Sequence, residues 1–219
     1  MALLIFDCDG VLVDSEILAN ELLAEMMTEL GHPMGTAEAI QKFVGRSLPD
    51  LLALCEGVLG CKVPDGVGQR YSRRLLERLR CDLKAVVGVK AAIANLPYRR
   101  CVASSSSIER VRLSLEVTSL LALFDGNIFS ATQVIRGKPA PELYLLAARM
   151  MGVVPDHCIV IEDSPIGVTA AVSAGMTAIG FVGGAHATNN LTQRLLAAGA
   201  RRVFLSMSHL PTIIAELTV

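Results

Sequence analysis

Tryptophan is absent from this 219-residue sequence, and aromatic residues make up only 4% of it. A stacking platform for nucleobases is therefore poorly supplied, which ranks nucleotides low among substrates. The interior must be built from Leu, Ala, Val, Ile and Met instead. Net charge is nearly lacking too: a formal −1 offers no overall attraction to nucleic acid or to an anionic membrane, and neither is expected as a partner. The six cysteines include no C-x-x-C pair, and no histidine stands at zinc-site spacing. Small buried thiols in a reducing compartment are expected rather than disulfides or a soft-metal site. No basic stretch precedes the first apolar run, which meets Asp7 too early for a signal peptide or a membrane span. A cytoplasmic protein is the expectation.

Hydrophobic residues, by contrast, make up 52% of the chain against 19% charged, which supports a sizeable core and argues against disorder. Six short runs, ALLIF (2–6), RCVAS (100–104), NIFS (127–130), CIVIED (158–163), TAIGFV (177–182) and RVFL (202–205), alternate with helical patterns. They are nearly all apolar rather than alternating, as in parallel strands covered on both faces, so the fold class read is an α/β doubly wound parallel sheet. Residues 7–99 separate the first run from the second, more than a crossover needs. Within them Leu18, Leu22, Met26 and Leu30 are spaced four apart before Gly31 and Pro33, and further helical patterns cover 48–59 and 67–79. An α-helical cap of residues 16–82, inserted into a core of residues 1–15 and 83–219, accounts for them. The last of these helices carries four arginines, with Arg80 directly after it. A solvated face with Leu75, Leu76 and Leu79 turned inward is expected, and attraction of an anionic substrate is the competing reading.

In an open α/β sheet, ligands bind beyond the carboxyl ends of the strands. The first run ends in FDCDG, where Asp7 and Asp9 at i, i+2 spacing leave an extended chain on the same side; the fourth delivers Glu162 and Asp163. Four carboxylates at one edge repel unless a cation joins them, and hard oxygen ligands suit Mg²⁺ better than zinc. The second run ends in Ser104 to Ser107 ahead of a helix starting near Ile108. Hydroxyls and free N–H groups there make an anion cradle, although a plain serine cap would also account for them. After the third run, Gly137, Pro139 and Pro141 fix the chain around Lys138. A carboxylate pair, a cradle, a fixed cation and a second carboxylate pair are equipment for moving a phosphoryl group. Cys8 is expected to face away from the site, with no histidine near it to activate a thiol. His32, His157, His186 and His209 read as loop or surface residues.

These segments resemble the motifs of the haloacid dehalogenase-like hydrolase superfamily: D-x-D-G at Asp7-Cys8-Asp9-Gly10, the strand-end Ser104, the lysine of Gly137-Lys138-Pro139 and the E-D of Glu162-Asp163. The resemblance covers essentially the whole chain and is closest to the phosphoglycolate phosphatase and β-phosphoglucomutase-like branch. It implies that Asp7 is a nucleophile that becomes an aspartyl phosphate, and that Asp9 is a general acid and then a general base. It further implies Mg²⁺ on the Asp7 carboxylate, the Asp9 main-chain carbonyl and Asp163, with Glu162 bound directly or through water. Ser104, the Ser105 amide and Lys138 would hold the transferring phosphoryl oxygens. Dehalogenases of the superfamily lack the second aspartate, so Asp9 counts against that chemistry.

Mutases of this branch carry a histidine where this chain has Ala19, and a G-x-S-R cap loop where it reads Gly45-Arg46-Ser47-Leu48. Both departures favour a phosphatase for a small phosphorylated metabolite over a β-phosphoglucomutase-like enzyme. A non-catalytic phosphometabolite-binding protein is the reading of another class. Specificity is expected around Gly45, Arg46 and Ser47, with Glu16 beside them, for a phosphorylated sugar, sugar acid or other carboxylate-bearing metabolite. A monomer or weak homodimer is expected.

Overall fold

Each of the six apolar runs forms a strand in the computed structural model, which describes residues 2–124 and 126–218. The strands are β1 (Leu3–Phe6), β2 (Arg99–Ser104), β3 (Ile128–Ser130), β4 (Cys158–Glu162), β5 (Thr177–Phe181) and β6 (Arg202–Phe204). Among the described residues ten α-helices accompany them: α1 (Ser15–Glu29), α2 (Thr36–Phe43), α3 (Leu48–Leu59), α4 (Val67–Asp82), α5 (Val89–Ala94), α6 (Ile108–Val117), α7 (Glu142–Met150), α8 (Pro165–Ser173), α9 (Leu191–Ala197) and α10 (Leu210–Leu217).

The strands pair in parallel in the order β3-β2-β1-β4-β5-β6. Both faces of such a sheet must be covered, and successive side chains supply them alternately. Leu4 and Phe6 enter one hydrophobic cluster with Val102 and Ile161, while Leu3 and Ile5 enter the opposite one with Tyr144 and Val160. The chain runs outward from β1 through β2 and β3 on one side and occupies β4 to β6 on the other, which makes the β1/β4 junction the switch point where ligand crevices form. Phe6 pairs with Ile161 across that junction, so Asp7 and Glu162 leave the sheet at the same level. Two serines set the helix starts beside it. Ser107 Oγ accepts the Arg110 N–H (3.3 Å) to open α6, and Ser164 Oγ accepts the Gly167 N–H (3.1 Å) to open α8, with Pro165 in the first helical position.

Helices α1 to α4 share a separate hydrophobic cluster built around Leu22, Leu23, Met27, Cys55, Leu75 and Leu79. Helix α2 was not expected from the sequence, because eight residues between Gly35 and Val44 bury only Ala39 and Phe43 and hardly register as a period. The buried stripe of α1 is also wider than four-residue spacing predicts: it takes in Leu22, Leu23, Met26 and Met27, whereas Leu18 and Leu30 are only partly covered. The helix is packed from two sides, by α2 and by α4. On α4 the inward residues are Tyr71, Leu75 and Leu79, with Leu76 only partly covered. Two of the arginines there, Arg74 and Arg78, reach Glu25 and Glu29 of α1 at 2.5–2.9 Å. These are solvated ion pairs of small individual worth that tie one helix to the next. Two chain segments join this helical part to the sheet and run side by side. The Asp14 N–H donates to Lys84 O (2.9 Å) and the Val86 N–H to Leu12 O (3.0 Å), flanking a bridge between Val13 and Ala85.

All six cysteines are free, with Cys8, Cys55, Cys101 and Cys158 buried. Among the described residues no helix is long and apolar enough to cross a membrane. The larger sheet cluster includes an edge-to-face pair, Phe6 and Phe124, with ring centroids 5.9 Å apart. Phe124 is 1% exposed. Phe124→Ala is expected to cost about 3–5 kcal/mol, the usual penalty for an emptied aromatic site, read as a lowered urea midpoint by far-ultraviolet circular dichroism.

Candidate active site

The carboxyl ends of β1, β2 and β4 meet at one ammonium group. Lys138 Nζ donates to Asp7 Oδ1 (2.8 Å), Glu162 Oε1 (2.8 Å) and the Ala103 carbonyl (3.0 Å). It lies 4.9 Å from the centroid of the Tyr144 ring, whose hydroxyl donates to Glu162 Oε1 (2.9 Å). The other Glu162 oxygen accepts the Ser164 N–H and Oγ–H, each at 2.8 Å. Burial alone would pull the lysine down, but the Asp7 and Glu162 carboxylates hold its pKa well above the ordinary lysine value. Burial pushes Glu162 up, and the Lys138 charge together with its hydrogen bonds brings it below the usual carboxylate range. Asp7 is different. Burial raises it well above that range, Lys138 opposes this only in part, and Glu162, Asp163 and Asp9 push further upward.

Asp9 lines the same cavity as Asp7. Strand β1 ends at Phe6 and the chain turns at Gly10 (φ 79°). The Asp9 carboxylate has a set of donors of its own. Its Oδ1 accepts from Ser15 Oγ (2.5 Å) and Arg110 Nη2 (2.6 Å), and its Oδ2 from Ser106 Oγ (2.7 Å) and Ser104 Oγ (3.3 Å). Burial raises this carboxyl, but the Arg110 charge and the bonds from Ser15, Ser106 and Arg110 more than offset it, leaving Asp9 below its ordinary value. Two carboxylates two residues apart are thus shifted in opposite directions.

The carboxylates that do converge are Asp7, Glu162 and Asp163, all buried, each able to offer one oxygen within 4.8 Å of the others. The Asp9 side chain is not among them. Burial raises Asp163, and a hydrogen bond and charge from His186 offset this only in part. Three buried carboxylates facing one lysine leave an excess of negative charge, and the donors are hard oxygens; the set fits a hard divalent cation such as Mg²⁺. Since Glu162 already accepts from Lys138, Tyr144 and Ser164, Asp7 and Asp163 have the freer oxygens. His186 is not a surface residue, contrary to expectation. Its side chain is 5% exposed and Nε2 lies 2.9 Å from Asp163 Oδ2. Burial lowers its pKa, yet the hydrogen bond and charge of Asp163 carry it up to about 9.

A cavity of about 540 Å³ opens onto this centre, lined by Asp7, Asp9, Ser104, Ser105 and Lys138 from the sheet side and by Gly45, Arg46 and Ser47 from the loop between α2 and α3. Ser47 Oγ caps α3, donating to Asp50 Oδ2 (2.6 Å) and accepting the Asp50 N–H (3.5 Å). Gly45 lies close against Ser164, where a Cβ would come within 3.2 Å of the serine Cβ. Glu16 and Ala19 of α1 also line the cavity. Cys8 is fully buried among the core residues, and burial, followed by the charges of Asp9 and Asp7, pushes its thiol pKa well above the ordinary value. Arg110, Ser15, Tyr144 and His186 were not singled out from the sequence. Arg110 stands in the first turn after the serine run, and His186 follows the Gly183-Gly184 pair just beyond β5; both positions are legible signals of proximity.

The sequence model for haloacid dehalogenase-like hydrolases matches residues 4–181. A 6-phosphogluconate phosphatase of Escherichia coli K12 is 29% identical over 182 residues, covering 83% of this chain and 82% of that protein. A phosphorylated carbohydrates phosphatase of Thermotoga maritima is 33% identical over 211 residues, 91% of this chain and 92% of its own length. A crystal structure of a haloacid dehalogenase-like protein of unknown function from Agrobacterium tumefaciens C58 superposes with a TM-score of 0.87 at 37% identity, covering 100% of both chains.

Glu16 provides a pH test of this electrostatic arrangement. It is 7% exposed, and burial followed by the Asp9 charge raises its pKa from 4.5 to about 7. A raised carboxyl in the folded state contributes stability present below the unfolded pKa and lost as pH rises through the folded one. At about 1.4 kcal/mol for each tenfold change in proton affinity, the difference amounts to about 3 kcal/mol. Relative to Glu16→Gln, the wild type should therefore lose up to about 3 kcal/mol between pH 4.5 and pH 8, measured by urea unfolding of both proteins in EDTA.

Proposed function

The chain belongs to the haloacid dehalogenase-like hydrolases and is a phosphatase among them, and from that premise we propose that it hydrolyses a small phosphorylated sugar or sugar acid through an aspartyl phosphate on Asp7. The observation that carries this reading is the division of labour between Asp7, held 2.8 Å from Lys138 beside two further carboxylates, and Asp9, held apart by four donors. One carboxylate is placed to attack and the other to handle protons.

In the first step an Asp7 oxygen attacks phosphorus. The ester P–O bond breaks, and Asp9 delivers a proton to the leaving alcohol. The resting Asp9 is a carboxylate clamped by Arg110; a phosphoryl dianion brought beside it favours the protonated form that this step requires. In the second step Asp9 takes a proton from water, the water oxygen bonds to phosphorus, and the bond to Asp7 breaks to release phosphate. Lys138, Ser104 and the Ser105 amide hold the phosphoryl oxygens as their negative charge grows. Asp7, Asp163, the Asp9 main-chain carbonyl and Glu162, directly or through water, would hold Mg²⁺, which when bound supplies charge neutralisation at the transferring oxygens. Helices α1 to α4 act in this reading as a cap over the leaving group, with residues 16–82 as the unit and Gly45, Arg46 and Ser47 as its contact loop.

Transfer to water rather than to a second sugar hydroxyl is favoured by Ala19, which lines the cavity with a methyl group where the mutases place an imidazole. The sugar-phosphate class is supported by the names of the two relatives above and by Arg46, a cation on the cavity wall. We place the enzyme in the cytoplasm as a monomer or weak homodimer.

Purified protein assayed against sugar phosphates, phosphoglycolate and β-glucose 1-phosphate should release phosphate with Mg²⁺ and not without it. Isomerised sugar phosphate in place of free phosphate would mean a mutase. Asp7→Asn should abolish release while leaving the circular dichroism spectrum unchanged; an unaltered rate would remove the nucleophile assignment. Arg46→Ala should raise KM at least about tenfold for the best ester, the equivalent of about 1.4 kcal/mol of lost binding, with a smaller change in kcat.

A further inference from the structure

One buried imidazole stands in the acidic centre without a part in the steps above. His186 Nε2 lies 2.9 Å from Asp163 Oδ2, and both side chains are almost wholly enclosed, at 5% and 6% exposure. On one side the ring lies against backbone that carries no side chain. A Cβ at Gly10 would fall 1.9 Å from Asp163 Oδ2 and 2.7 Å from His186 Cε1, and one at Gly184 would fall 2.8 Å from the same ring atom. Two glycines therefore let the imidazole reach the carboxylate. The loop that carries it is anchored in turn, since Asp14 Oδ1 accepts the Ala185 N–H at 3.0 Å.

The far side of the pair is open. A second cavity, of about 390 Å³, is lined by Asp163 and His186 together with Gln41 and Val44 of the helical part and Thr188 and Arg194 beyond β5. Asp163 thus stands between the acidic centre and a cavity wall that carries a guanidinium. The Nε2 contact takes up one of its carboxylate oxygens and limits how far the group can turn.

We propose that His186 is a positioning residue of the metal site, which holds Asp163 in the orientation that binds the divalent ion. This rests on the reading that the three carboxylates hold such an ion. Neighbours that orient metal ligands are typically worth about 10–100-fold in metal affinity. The test is direct binding of Mn²⁺, followed by the electron paramagnetic resonance signal of the free ion, to the wild type, His186→Ala and His186→Gln. His186→Ala should weaken binding about 10–100-fold with the circular dichroism spectrum unchanged. His186→Gln, which retains a side-chain N–H donor, should restore most of the affinity; that rescue would not follow if the ring only filled space. Unchanged or tighter binding by His186→Ala overturns the proposal, as does a folded His186→Gln that binds no better than a tenfold-weakened site. Should His186→Ala fail to fold, the comparison of His186→Gln with wild type decides the question alone. A wild type that binds no Mn²⁺ overturns the metal reading itself, an outcome distinct from equal binding by all three proteins.

Discussion

The three-way contact of the Lys138 ammonium with Asp7, Glu162 and the Ala103 carbonyl is the interaction on which the rest of the site depends. Each partner comes from the end of a different strand, so the lysine fixes the relative positions of β1, β2 and β4 where the sheet opens. It also neutralises charge on two buried carboxylates. Removing a single partner from such a cluster leaves a buried charge uncompensated, which is far costlier than the net worth of the intact set. Tyr144 and Ser164 complete the arrangement by satisfying Glu162, whose function here is to hold Lys138 as much as to face any ion.

A second constraint acts within three residues. Asp7 and Asp9 share a motif and a buried position, yet the first is raised and the second lowered, because Lys138 only partly offsets the burial of Asp7 whereas Arg110 and the serine hydroxyls more than offset that of Asp9. A divalent cation among Asp7, Glu162 and Asp163 would bring Asp7 down, and a phosphoryl dianion beside Asp9 would bring it up, so the roles proposed for the two groups call for both to be bound.

The parallel sheet was legible because its strands are buried on both faces and so read as uninterrupted apolar runs bounded by turns. The meeting of Asp7, Glu162 and Asp163 follows from neighbouring strands that end together at a switch point, whereas Lys138 reaches the crevice from the loop after β3. Other features depend on contacts that no local pattern carries. Helix α2 buries too few residues to show a period. The orientation of Asp9 is decided by Arg110, about a hundred residues away in sequence. His186 reads as a loop or surface residue because its partner Asp163 lies at another strand end; the glycine pair before it marks a close approach but not what approaches. The arginines of α4 showed a charged face, and only the packing of α1 against it identified the acidic partners.

The two chain segments that join the helical part to the sheet are hydrogen-bonded to each other around Val13 and Ala85. Seen from the sheet, everything between them is a single long loop whose ends are already closed. The entropy of closing a loop grows only with the logarithm of its length, so the sheet is nearly indifferent to how many residues the loop contains or how they fold. What lies over the cavity can therefore differ in length and fold while the strand ends beneath it stay as they are. Both segments cross at one place, so helices α1 to α4 are tied to the sheet through a single pair of linkers.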